Sequence, residues 1–447
     1  MTAVARYHDL LTPEVAGATH AHVERQLAQR GLVFGGRALC TVLRPRLLDL
    51  AQYQSLQRRL RPLMAAFQKT YERALSDAAF RRQFWLTDWE EVLLADATGY
   101  SRPSPTSRLD FFWDPEIGSL GLTEYNAETP AGAAYIDALS DTFLDAPAMR
   151  EFTKSYDVWP LPARQGVVGA LLDAYREFSH GGRAPRVAIL DWDDVPTVTE
   201  FELYRKHFEA LGISCVIDDP RRCEYRDRTL YASGRPVDFI YKRVLISELI
   251  ETCGMDAPVV RAVREGAACL VDGFRCKILH KKASLAVLSD EVNADMFNTE
   301  ERRGIDDCIP WTRVVEERRT TYGGLAVDLV PYILAHRERF VVKPNDEYGG
   351  KGIVLGWTVD DAAWAEAVRV ALQSPHIVQE KVIIPSEPYP SWVDGRVEIY
   401  ERMYDTAPFI SHGQYMEGLL TRLSTVDLLN VTAGGGSTVP TFLAERR

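Results

Sequence analysis

The sequence predicts an α/β protein built from more than one unit, and three observations carry that expectation. The chain has 447 residues, against the roughly 100–200 of a typical domain. Residues 186–219 run as strand, helix and strand, the unit from which parallel sheets are made. From 277 onward helical and strand patterns alternate, with no repeat or low-complexity tract.

Taken in order, residues 45–94 place Leu, Met, Phe and Tyr at three- and four-residue spacings among Arg, Gln and Glu, and predict a helical hairpin. Residues 107–128 change character: RLDFFWD, a break at 114–119 containing Pro115 and Gly118, then LGLTEYNAE, which predicts a β-hairpin. Helical pattern resumes over 135–175, and HGGRAP at 180–185 is the best early linker. RVAILDWDD is a strand followed by turn residues. TEFELYRKHFEALG is an amphipathic helix opened by Thr199 with Glu202 three residues on, a capping box. SCVIDD is a second strand, and VDFIYKRV and ACLVDGF are later ones. The expected division is therefore 1–184, a helical region carrying the β-hairpin; 185–275, a small doubly wound α/β unit; and 276–447, a second mixed unit.

Composition bounds the function. With 52 Lys+Arg against 63 Asp+Glu the net charge is -11, which opposes sequence-blind binding to nucleic acid or to anionic membranes. Seven scattered cysteines without a CxxC pair fit a reduced compartment and no zinc site. No apolar run approaches the ~18 residues of a membrane span, and the first residues lack a secretion signal, so the expected location is the cytoplasm.

The most informative segment is 340–357. An apolar strand delivers Lys343, Pro344 stops the ladder, and NDEYGGKG leads into a second strand. Gly349 and Gly350 let backbone N–H groups approach phosphate oxygens while Lys343 and Lys351 supply charge. The segment lacks the GKS or GKT of a Walker A loop, and a lysine-flanked hairpin without function is the competing reading. In the early hairpin, period-two alternation puts Arg108 with Asp110 on one face and Glu124 with Asn126 on the same face of the partner strand. A turn centred on Ile117 sets Asp110 opposite Glu124 and Arg108 opposite Asn126. Facing carboxylates repel unless a cation lies between them. Oxygen ligands of this kind suit Mg²⁺; a solvated hairpin in which Arg108 neutralises one acid is the alternative. Lys281-Lys282 open a helical pattern, or form a solvated basic corner. Near the C-terminus Arg422, Asn430 and Gly434, Gly435 and Gly436 fall in one stretch, and the glycines by themselves suit a flexible loop.

Taken together and in order, R-x-D (Arg108, Asp110), E-x-N (Glu124, Asn126), HKKA, VVKPNDEYGGKG, QEKV and NVTAGGGSTVPTF resemble a circularly permuted ATP-grasp protein of the glutathionylspermidine synthetase-like group, with eukaryotic glutathione synthetase more distant. The resemblance spans 108–442. It implies an ATP-grasp fold with a small doubly wound pre-ATP-grasp domain and a helical N-terminal region. It implies ATP and Mg²⁺ as cofactors, two ions being expected, with Asp110, Glu124, Asn126 and Glu347 as metal ligands and Arg108 facing the reacting groups. The nucleotide lysines match Lys282 or its neighbour Lys281, and Lys343. Gln379, Glu380 and Lys381 match the strand framing adenine, and Arg422, Asn430 and the three glycines match the segment closing over phosphates.

The implied activity joins a carboxylate to an amine through an acyl phosphate, with an amino acid, short peptide or polyamine as substrates. Several acids in DWDDVPTVTEF are candidates to hold a cationic amine. A phosphotransferase acting on a hydroxyl and a non-catalytic nucleotide binder are the competing functions. The nine histidines pair with no cysteine in a recognisable pattern, so no amidase activity is expected. A homodimer is left open as the assembly.

Overall fold

Three sheets organise the computed structural model, which describes residues 2–34, 36–425 and 436–447. The largest has nine strands, and the predicted hairpin, Thr106–Asp114 with Ser119–Asn126, forms one edge of it. Beyond the hairpin come Ala407–Ser411, Tyr415–Ser424, Arg396–Tyr404 and Ser386–Val393. Ser437–Arg446 pairs with Tyr415–Ser424, then runs on to pair parallel with Arg46–Leu48 and antiparallel with Tyr156–Pro160. Along the first hairpin strand the odd positions Leu109, Phe111 and Trp113 join the core under a long helix. The even positions Arg108, Asp110 and Phe112 line a cavity on the other face.

The long helix corrects the expected helical hairpin. Leu50–Ser76 is one continuous helix, capped by Asp49 and Gln52 and running through Pro62. Its Leu56, Leu60, Leu63 and Phe67 are all buried on one face. Each is worth roughly 1.5–3 kcal/mol, which offsets the ~3 kcal/mol of an internal proline. The proline ring also finds a seat: a Cβ on Gly304 of the helix Thr299–Cys308 would lie 2.9 Å from Pro62 Cγ, so only glycine permits this approach. Only short helical turns follow, ending with Asp88–Leu94.

The small parallel sheet has the order Cys269–Val271, Phe239–Lys242, Val187–Leu190, Cys215–Asp218. Val187 and Ile189 pack with the helices Arg164–Phe178 and Val198–Ala210, whereas Ala188 and Leu190 pack with Ile246–Cys253 and Pro258–Arg264. Both faces are covered, which is why these strands are apolar except for Asp218 and Lys242 at their C-terminal ends. The expected capping box is not formed. The helix starts two residues earlier, with Thr197 at its N-cap and no side-chain cap bond, and Glu202 pairs with Arg205 instead. The strand Tyr156–Pro160 is a second departure, lying inside a stretch read as helical.

In the third sheet, Phe340–Pro344 lies between His376–Glu380 and Val354–Leu355, all antiparallel, with Thr312–Val314 outside. Phe340, Val342 and Val378 pack with Trp364 and Ile333 from its helices. The glycine-rich turn joins Phe340–Pro344 to Val354–Leu355. Among the described residues no helix is long and apolar enough to cross a membrane.

Candidate functional site

The hairpin has the register that period-two alternation predicts: Asp110 lies opposite Glu124 and Arg108 opposite Asn126. Just past this pair the register slips by one residue, Phe111 pairing with Leu122, so Thr123 is left over as a bulge. The bulge has a use. Its hydroxyl donates to the Asp110 carbonyl at 2.9 Å, and its own carbonyl accepts from Lys343 Nζ at 3.0 Å.

Asp110 is held by two arginines. Arg108 grips it bidentately, Nε to Oδ1 at 2.6 Å and Nη2 to Oδ2 at 2.8 Å, and Arg422 Nη2 reaches Oδ2 at 2.8 Å. Arg422 is in turn fixed by Asp405 through its backbone N–H at 2.7 Å and Nε at 2.5 Å. Burial alone would raise the Asp110 carboxyl, but the two guanidiniums hold it well below the usual range. Glu124 behaves similarly. Burial raises it and Lys282 overrides this, so its net shift is downward. Both acids therefore face the cavity ionised. Asn126 Oδ1 accepts from the Thr129 N–H at 3.3 Å.

Lys282 connects the hairpin to the glycine turn. Its Nζ donates to Glu124 Oε1 at 3.1 Å and to the Glu347 carbonyl at 2.6 Å. Of the two candidate lysines, Lys282 lines the cavity; Lys281 is turned instead to Glu90 at 2.9 Å and Asp346 at 3.3 Å. Lys343 donates to Gln379 Oε1 at 2.7 Å. Burial, then the neighbouring Lys282, draws its ammonium down to about 7 against the opposing pull of Glu124. The Glu347 carboxylate lies outside the cavity lining and pairs with exposed Lys351 at 3.2 Å.

These groups surround one cavity of about 490 Å³, within the range of small-ligand sites. The hairpin supplies Arg108, Asp110, Glu124 and Asn126, and Lys282, Lys343 and Arg422 add positive charge. Gly349 and Gly350, at φ +63° and +81°, come from the turn. Gln379, Glu380 and Lys381 close the sheet side. Glu380 accepts from the Tyr322 hydroxyl, and Lys381 Nζ sits 4.3 Å above the Trp357 ring. Gly436 is described, immediately before the last strand; Asn430, Gly434 and Gly435 lie outside the described residues.

Several lining groups escaped the sequence reading. Asp405 sits in MYDTAP with no pattern around it. Arg243, Glu248 and Tyr348 also line the cavity, Glu248 bonding Trp192 Nε1 and the Tyr348 hydroxyl at 3.0 Å each. Of the acids in DWDD, Asp191 faces the cavity, its carboxyl raised to about 6 by burial.

No protein-family model matches the chain, and no curated protein matches it. Among solved structures the fold is similar to a glutathione synthetase-like effector from Globodera pallida. The two share 12% identity at a TM-score of 0.59, over 97% of this chain and 98% of that one. That likeness shows a shared fold over nearly the whole of both chains. A D-alanyl-alanine synthetase A from Vibrio cholerae aligns with 50% of this chain and 67% of its own at 11% identity and a TM-score of 0.26, too low to bear on the fold.

Proposed function

We propose that the chain is an ATP-dependent carboxylate–amine ligase of the circularly permuted, glutathionylspermidine synthetase-like kind, activating its acid as an acyl phosphate. One observation carries this reading: Lys282 Nζ joins the Glu124 carboxylate to the Glu347 carbonyl, so hairpin and glycine turn meet on one cavity although 220 residues separate Thr123 from Lys343. A metal-binding strand pair and a phosphate-binding turn are useful to phosphoryl transfer only when they share a ligand.

The donor set suits magnesium. Asp110, Glu124 and Asn126 offer oxygens on one wall, both acids are ionised, and Asp110 Oδ1 and Glu124 Oε1, each accepting one bond, retain lone pairs, whereas Asp110 Oδ2 already takes two. These three would hold the ion; Glu347 joins them only by giving up Lys351. When bound, magnesium supplies neutralisation of the phosphate charge.

The chain's own residues then have defined work. Lys343 and Lys282 place positive charge at the turn for the transferring phosphoryl group, and the N–H groups around Gly349 and Gly350 bind its oxygens. Arg108 and Arg422, locked by Asp110 and Asp405, present oriented guanidiniums to the acid substrate. Alignment and charge suffice for this chemistry, because phosphorylation itself converts the carboxylate oxygen into a leaving group. The turn covers the site and keeps water from the acyl phosphate.

The test is product analysis. Incubation with ATP, Mg²⁺ and pools of amino acids, short peptides and polyamines should release ADP and phosphate only when acid and amine are both present. A phosphorylated hydroxyl compound formed without an amine would establish the phosphotransferase instead.

A further inference from the structure

The segment KILHKK puts Lys277, His280 and Lys281 on one helical face, and that face is buried, Lys277 at 1% and Lys281 at 3% exposure. Buried ammonium groups persist only when paired and hydrogen-bonded. Lys277 Nζ lies 2.6 Å from Asp346 Oδ1, 3.2 Å from Glu128 Oε2 and 3.8 Å from Glu90 Oε1. Lys281 Nζ lies 2.9 Å from Glu90 Oε2 and 3.3 Å from Asp346 Oδ2. Lys242 Nζ adds a contact to Glu128 at 3.6 Å. Three carboxylates, Glu90, Glu128 and Asp346, thus balance three ammonium groups. Glu128, His280 and Asp346 have ligand atoms close enough to hold a metal ion, but the Lys277 ammonium is already bonded to both carboxylates, so the cluster is complete without one.

The cluster joins the N-terminal region to the base of the glycine turn. Glu90 belongs to the helix Asp88–Leu94, and Asp346 stands immediately before Glu347 and the glycines. A second tie runs beside it: Asn345 Nδ2 donates to the Phe84 carbonyl at 3.0 Å, and Asn345 Oδ1 accepts from the Ala283 N–H at 2.8 Å. Neither Glu90 nor Asp346 lines the cavity. Each oxygen of Asp346 takes one lysine, so the carboxylate cannot rotate without breaking an ion pair.

We propose that Glu90 and Asp346, joined through Lys277 and Lys281, are positioning residues by which the N-terminal region sets the glycine turn over the cavity. Their effect on nucleotide rests on the ligase reading above; their effect on the turn does not.

The experiment uses the full chain and three variants: Glu90→Gln, Lys281→Met and the double Glu90→Gln/Lys281→Met, which removes a charge of each sign and keeps the cluster balanced. Amide hydrogen exchange over residues 346–353 should become about tenfold faster in all three, the double variant included. The KM for ATP should rise about tenfold, with kcat falling less. Unchanged exchange over 346–353 in a folded double variant would overturn the proposal, whatever happened to its melting temperature. Should the wild-type chain bind no ATP by calorimetry, the ligase reading fails while the exchange measurement still decides this one.

Discussion

Lys282→Met removes the ammonium that links hairpin and turn. Two charge-assisted bonds disappear, at 3.1 and 2.6 Å, from a side chain only 5% exposed. Each is worth about 1.5–3 kcal/mol, and the loss of one member of a buried ion pair costs about 3–5 kcal/mol. A loss of about 3–5 kcal/mol at pH 8 is therefore expected, read from urea denaturation of wild type and variant. The pH dependence gives the sharper check. In the wild type the Glu124 carboxyl is depressed, so its pairing stabilises above the unfolded carboxyl pKa and is lost as pH falls through the folded one. In the variant, burial and the Asp110 charge are left against only the weaker pull of His280 and raise it, so Glu124 takes up a proton on mild acidification and no longer needs a partner. The difference between the two proteins should shrink from pH 8 towards pH 5. A penalty below about 1 kcal/mol, or one independent of pH, would refute the bridge.

Four further outcomes follow from the same geometry. ATP binding that needs the Lys343 ammonium should weaken about tenfold per unit as pH rises above its pKa of about 7, and Lys343→Arg should flatten that profile in calorimetric titrations. Glu124→Gln should lower turnover by about a hundredfold or more. By contrast Glu347→Gln should change folding stability by less than about 1 kcal/mol, since its carboxylate meets only an exposed lysine; equal urea midpoints for Glu347→Gln and wild type would agree. Gly352→Ala places a Cβ 2.7 Å from Pro344 Cγ at φ +72°; a cost of about 1–3 kcal/mol in denaturation is expected, together with weaker ATP binding.

The parts of the site legible in the sequence are those fixed by short-range periodicity. Alternation and a four-residue turn suffice to set Asp110 against Glu124, and an apolar strand followed by proline and glycines suffices to locate Lys343 near a strand end. The bulge at Thr123 was not legible, because what bends the hairpin there is Phe111 bonding to Thr406, nearly 300 positions away. Lys281 and Lys282 could not be told apart because the helix breaks between them and its resumption: Lys281 takes an extended conformation, ψ 132°, which swings the next side chain to the opposite side. Asp405 has meaning only through Arg422 on the neighbouring strand. The long helix was misjudged because a proline weighs heavily in local propensity, while the seat that tolerates it lies on another helix.

The strand Ser437–Arg446 is pinned between Tyr415–Ser424 on one side and Arg46–Leu48 and Tyr156–Pro160 on the other. During synthesis, segments 46–48 and 156–160 thus wait for a mate made almost four hundred and three hundred residues later. The ribosome must deliver that mate before the large sheet can close, so the nascent chain carries an open β edge for most of its production. A fold wired this way assembles late and slowly, and holding the incomplete chain apart from its copies becomes a task for chaperones.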